Sequence, residues 1–302
     1  MARGFLADFE SPEWKLSQRA VELDEPMILE EAISMTEADN LDSFYRQAIR
    51  SSIRHNAITV LKQLINRGVS VQDLIGSDVA GTCKTKTATV ELLLENGWDI
   101  NARGKVGSSA KPFMWHFVDN DDMIKWCLDH GASVHPRNQE PLNANFTTLS
   151  QRSCEQILEL VAAWGSISTF ELLRSKGAPL GWRPLHRAVE TATYLPPTDK
   201  RPSEYQDRMD MVRYLIEVVK IDVNAPDWPA GAPGSLGPPI CYIPASAMQE
   251  TDKRELTWLL LDHGADPKPA LDFVGYSDCR QFVEDVEAWR AQKSGGSKCC
   301  VQ

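Results

Sequence analysis

A short phrase recurs along this chain: a run of leucines, two or three polar residues, then glycine. It reads Leu92-Leu93-Leu94-Glu95-Asn96-Gly97, Leu128-Asp129-His130-Gly131, Leu172-Leu173-Arg174-Ser175-Lys176-Gly177 and Leu259-Leu260-Leu261-Asp262-His263-Gly264. A weaker copy ends at Leu64-Ile65-Asn66-Arg67-Gly68. Glycine after the last helical turn supplies the left-handed cap that a side chain would penalise, and the leucines ahead of it fill a seam. A helix that stops in the same way every 29 to 46 residues is one supersecondary unit, copied. Such a unit cannot bury its apolar face alone and must stack on its neighbours. The expected fold is therefore all-α, a solenoid of stacked helix–turn–helix units joined by short finger loops.

Upstream of these helix ends the chain supplies helix starts. Arg183-Pro184-Leu185-His186-Arg187-Ala188-Val189 puts proline in a first turn, where its missing N–H costs nothing, and Pro244 opens another helix. Leu158-Glu159-Leu160-Val161-Ala162-Ala163-Trp164-Gly165 reads as an inner helix closed by glycine. Asp99-Ile100-Asn101-Ala102 and Asp222-Val223-Asn224-Ala225 open the finger that follows an outer helix. Taken together these features resemble the ankyrin repeat: a Pro-Leu-His-x-Ala inner helix, a tight turn, an outer helix and a Gly-Ala-Asp/Asn finger.

The array is degenerate. About six repeats fit within residues 43–268, but only one keeps Pro-Leu-His, with Arg183 in place of the usual capping threonine. The inner half of the second repeat, Val71 to Cys83, is hard to recognise, and in the fifth Lys220-Ile221 stands where Gly-Ala belongs. Residues 1–42 form an acidic N-terminal arm or capping helix, 269–292 a C-terminal capping helix, and 293–302 a flexible tail. The arm carries eleven acidic and three basic side chains. Phe282, Val283, Val286 and Trp289 are spaced to seal the last repeat with an amphipathic helix.

A net charge of −10 argues against nucleic acid, which needs a basic stripe. Seven scattered cysteines show no metal spacing, and no apolar run approaches transmembrane length. The expectation is a cytoplasmic monomer with reduced thiols, no cofactor and no metal. The last four residues, Cys299-Cys300-Val301-Gln302, follow a Gly/Ser spacer and match a prenylation box in which Cys299 takes the lipid. One lipid chain anchors weakly, so membrane association is expected to be peripheral and reversible at most.

No catalytic signature stands out: there is no His-Glu-x-x-His, no phosphate-binding loop and no nucleophile elbow. Asp119-Asn120-Asp121-Asp122 lacks the glycine and distal glutamate of a calcium loop and falls at a turn. His130 and His263 precede terminal glycines, where an imidazole can reach the last carbonyls. His186 matches the repeat's inner-helix histidine, whose role by resemblance is to hydrogen-bond between adjacent turns. Trp98, Trp126, Trp164, Trp258 and Trp289 fall at helix, turn or terminal positions and read as core or capping residues.

By resemblance, finger tips and inner helices would hold a protein partner. The pattern breaks most strongly in the C-terminal half. There the finger between Gly177 and Pro184 shrinks to Ala178–Arg183, and proline-rich stretches follow Tyr194 and Ala225. Trp182, Arg183, Tyr194, Trp228 and Tyr242 are the first binding candidates, because aromatic and arginine side chains dominate hot spots. Arg103, with Trp115 and His116 behind it, is the second group. The leading reading is a protein-binding adaptor or scaffold. The competing one is an enzyme or small-molecule binder with a pocket under the proline-rich loops, where His186, Arg183, Tyr194 or Tyr242 would transfer protons or stabilise charge.

Overall fold

A computed structural model describes residues 11–80, 87–102, 111–135, 156–194, 202–228, 235–246, 252–274 and 279–295. The described residues contain helices and turns and no strand. They divide into two compact units, one comprising residues up to 116 with 129–132, the other 117–128 with 133 onward.

In the first unit the helices follow in the order α1 (Pro12–Leu23), α2 (Pro26–Met35), α3 (Leu41–His55), α4 (Ile58–Asn66), α5 (Gly76–Ala80) and α6 (Thr87–Glu95). The acidic arm is thus itself a helix pair over 12–35, and α1 packs on α2 and α3. Leu29, Ile49, Ile53, Leu61, Leu64 and Leu93 are fully buried at the seams. Of the second inner half, residues 76–80 form α5, and 81–83 lie outside the described residues. Two polar residues take left-handed turns at helix ends and bind the next layer. Asp24 (φ 54°) accepts Thr59 N at 3.1 Å and Val60 N at 2.9 Å, capping α4. Asn56 (φ 55°) accepts the Thr89 hydroxyl at 3.2 Å.

The second unit holds α7 (Asp121–Asp129), α8 (Ile157–Trp164), α9 (Ile167–Ser175), α10 (Pro184–Tyr194), α11 (Pro202–Glu217), α12 (Tyr242–Ala245), α13 (Arg254–Asp262), α14 (Lys268–Val274) and α15 (Arg280–Gly295). The 3-10 turn Phe113–Phe117 precedes α7 in the chain and belongs, up to His116, to the first unit. Helix α11 carries an acid, Glu204, in its first turn, where the helix dipole favours it. Two helices follow α13, where one capping helix was expected. On α15, Phe282 and Val286 are buried, and Trp289 Nε1 donates to Asp262 at 2.8 Å. A buried Asp285 receives Arg254 Nε at 2.8 Å.

The recurring glycines all behave alike. Gly68, Gly97, Gly131, Gly177 and Gly264 have φ between 85° and 88°. The next N–H then reaches back to a carbonyl five residues earlier: Val69 to Leu64, Trp98 to Leu93, Ala178 to Leu173 and Ala265 to Leu260, at 3.0–3.1 Å. Each of those leucines is fully buried, so one residue both closes the helix and fills the seam. Lys220 adopts φ 65° in the place of glycine.

The residue two places after each of five of these turns, the one at Lys220 included, folds the finger. Asp99, Asp222 and Asp266 each accept the N–H two residues on at 2.9 Å, and Ser70 and Ser133 do the same at 3.2 and 3.1 Å. Asn101 then donates to Gly131 O at 3.0 Å and Asn224 to Gly264 O at 2.9 Å, linking each finger to the next.

Candidate functional site

The entry to α10 is built by a residue far away in sequence. Glu159 sits within the apolar run of α8 and is buried. Its Oε2 accepts Gln156 N, closing a capping box on its own helix. Its Oε1 accepts both Trp182 N and Arg183 N at 2.8 Å, anchoring the turn that leads into α10. Gly181 (φ 79°) lets the chain pass over this carboxylate; a Cβ there would lie 2.5 Å from Oε1. The turn before α10 is therefore short and rigid.

Arg183, held at this point, leans over two rings, 5.2 Å from the Trp228 centroid and 5.6 Å from that of Tyr242. Its Nη2 donates to the Tyr242 hydroxyl at 3.1 Å, and that hydroxyl donates to Asp227 Oδ2 at 2.7 Å. Asp227 is fully buried and also receives the Ser235 hydroxyl and Leu236 N. His186, one turn into α10, packs edge-on to Tyr242 at 5.5 Å. Its Nε2 bonds Ala225 O at 3.0 Å, so the neutral ring donates from Nε2.

Burial sets the electrostatics. It pushes His186 down to about 4, with Asp227 and the Ala225 carbonyl opposing. Burial also raises the Tyr242 phenol above its ordinary range, against the pull of Arg183. Asp227 would be raised by burial as well, but the Ser235, Tyr242 and Leu236 donors outweigh that and hold it below the usual carboxylate range. The result is an ionised carboxylate, a protonated phenol and a neutral imidazole, joined to one guanidinium.

Chemically this set is a clasp. The Tyr242 hydroxyl is used twice, as acceptor and donor, and it ties the start of α10 to the 225–237 turn and to α12. His186, Asp227 and Tyr242 are at most 4% exposed. Arg183 is partly exposed, so within the clasp it is the guanidinium that reaches toward the surface.

Of the sequence candidates, Arg183, His186, Trp228 and Tyr242 come together in the clasp. Trp182 and Tyr194 are 45% and 42% exposed, but they flank opposite ends of α10, an eleven-residue helix about 16 Å long. Trp115 is buried in the 3-10 turn, and His116 beside it is exposed. Trp115 is thus a core residue and not a contact surface. Arg103 and Cys299 lie outside the described residues. Sequence reasoning missed Glu159 and Asp227. An acid inside the apolar run Ile157–Trp164, three residues after Gln156, was the available signal for the first; nothing local marks the second.

Among the described residues, no helix is long and apolar enough to cross a membrane, and no group of acids, histidines or cysteines could hold a metal ion. No protein-family model matches the chain, and no curated protein matches it.

Proposed function

We propose that the chain is an ankyrin-type repeat protein that holds a partner protein against its finger turns and inner helices, with the turn at Trp182 as the anchor. One observation carries the reading. Trp182 is 45% exposed, yet its backbone N–H and that of Arg183 are pinned on the buried Glu159 carboxylate. A large aromatic surface on immobilised backbone binds with little ordering cost, which is the property of an interface hot spot. The repeated finger, with Asn101 and Asn224 each bridging to the next turn, supports the type of scaffold.

Trp182→Ala and Tyr194→Ala remove exposed area without touching the clasp, whereas Arg183→Ala would disturb the fold. Affinity capture from cell extract with wild type and each variant, followed by mass spectrometry, tests the proposal. Partners retained by wild type and lost on Trp182→Ala support it. Identical partner sets for wild type and Trp182→Ala count against the anchor.

A further inference from the structure

Trp164 departs from its expected role. It ends α8, and its indole is 49% exposed, whereas Trp98, Trp115 and Trp228 are buried. It lines a cleft of about 430 Å³ within the second unit, and Trp182 is not among the lining residues. The floor is the Gly165–Ser168 turn between α8 and α9. One wall comes from Asp119 and Asp121, ahead of and opening α7; the other comes from Asp207, Arg208 and Asp210 on α11. A volume of this size holds one extended side chain and its head group.

The charges in the cleft are unbalanced. Arg208 donates to Ala163 O and Gly165 O at 2.8 Å each, neutral acceptors that leave its charge in place, so one guanidinium stands against the four carboxylates of the lining. Asp121 accepts the hydroxyls of Ser166 (2.9 Å), Ser168 (2.9 Å) and Thr169 (2.6 Å), all neutral donors that leave its charge in place. Asp210 is shared with Arg213 at 3.0 Å. Asp119 and Asp207 make no hydrogen bond or ion pair among the described residues. The acids are not grouped closely enough for a metal ion, so the complement is a larger, delocalised cation. The guanidinium is the common one: it stacks on indole faces and is weakly hydrated, where an ammonium holds its water.

We propose that this cleft receives an arginine side chain of a basic peptide segment in a partner protein. Its guanidinium stacks on Trp164, with the Asp119 and Asp207 carboxylates beside it. The site is separate from the Trp182 anchor and stands or falls without it.

The test uses the full chain and a fluorescein-labelled Gly/Ser hexapeptide carrying two arginines, with lysine and glutamate versions as controls, read by fluorescence anisotropy at two salt concentrations. The arginine peptide should bind best, the lysine peptide several-fold more weakly and the glutamate peptide not at all. Trp164→Ala should weaken arginine-peptide binding about tenfold, and Trp164→Phe less. Asp119→Asn with Asp207→Asn should weaken it comparably and flatten its salt dependence, while Trp182→Ala leaves it unchanged. Circular dichroism and urea midpoints confirm that the surface variants fold. Unchanged binding by Trp164→Ala overturns the proposal. So does an equal loss on neutralising Asp39 and Asp42 in the first unit, which would mark non-specific attraction. Displacement by calcium or spermidine at matched ionic strength also overturns it, in favour of a metal or polyamine site.

Discussion

Glu159 and Gly181 fit each other so closely that neither position tolerates ordinary change. The carboxylate lies where any Cβ on residue 181 would go, 2.5 Å from Oε1, and the backbone there is left-handed at φ 79°. Gly181→Ala therefore meets a conformational penalty and a collision with a buried charge. The expected loss is at least about 3 kcal/mol. Gly68 is the control, because its φ of 85° is similar but nothing lies within 4 Å of an added Cβ. Gly68→Ala should cost only the left-handed penalty, about 1–2 kcal/mol. Urea denaturation of both variants gives the difference directly.

Removing the acid should act from the other side of the same contact. In Glu159→Ala, the N–H groups of Trp182 and Arg183 lose a shared acceptor at 2.8 Å inside the protein, and the turn that leads into α10 loses its anchor. The expected cost is about 2–4 kcal/mol, with Glu159→Gln losing less because its amide oxygen still accepts. Hydrogen exchange should show the change concentrated in residues 182–188; protection unchanged there would mean that the acceptor contributes little.

How far the sequence foretold these features follows from the range of each interaction. The helix ends were legible because only glycine adopts φ near 85° without penalty, so the physics leaves a letter in the chain. The finger residues Asp99, Asp222 and Asn224 were legible for the same local reason. Lys220 was visible as a departure, yet not that it keeps the left-handed turn, since the neighbouring packing imposes it. The clasp was half legible: aromatic and arginine side chains stood out at 183, 228 and 242, but Asp227 is one acid among many in an acidic chain. Its importance comes from three donors that fold around it. Trp164 looked like a helix-end core residue, and only the position of α11 decides that its indole faces a cleft.

Lys220 offers a gain in stability. It is an exposed residue held at φ 65° where the other helices of this type end in glycine. Lys220→Gly removes the Cβ strain, offset by greater freedom in the unfolded chain, for a net of about 0.5–1 kcal/mol. The urea midpoint should rise with an unchanged slope. A fall would show that the lysine stem packs usefully on Ile221 or its surroundings.

The clasp predicts how stability responds to acid. His186 has its folded pKa pushed down to about 4 by burial, from an ordinary value of 6.5. Between those limits the unfolded chain binds a proton that the folded one refuses, so stability falls as the pH drops from about 6.5 toward 4. The full effect is on the order of 3 kcal/mol. Asp227, held below the usual carboxylate range, adds a loss of the same sign at lower pH, where its ionised form must take up a proton. The two contributions separate by substitution. His186→Gln can keep a donor to Ala225 O without a titrating ring, so its unfolding free energy should be flatter between pH 6.5 and 4.5 while retaining the steeper acid limb. Asp227→Asn should do the reverse, at the cost of a weaker clasp at every pH. Equal slopes for wild type and His186→Gln through the upper window would mean that the buried imidazole accepts its proton in place, and that the ring is less tightly enclosed than its contacts with Tyr242 and Ala225 require.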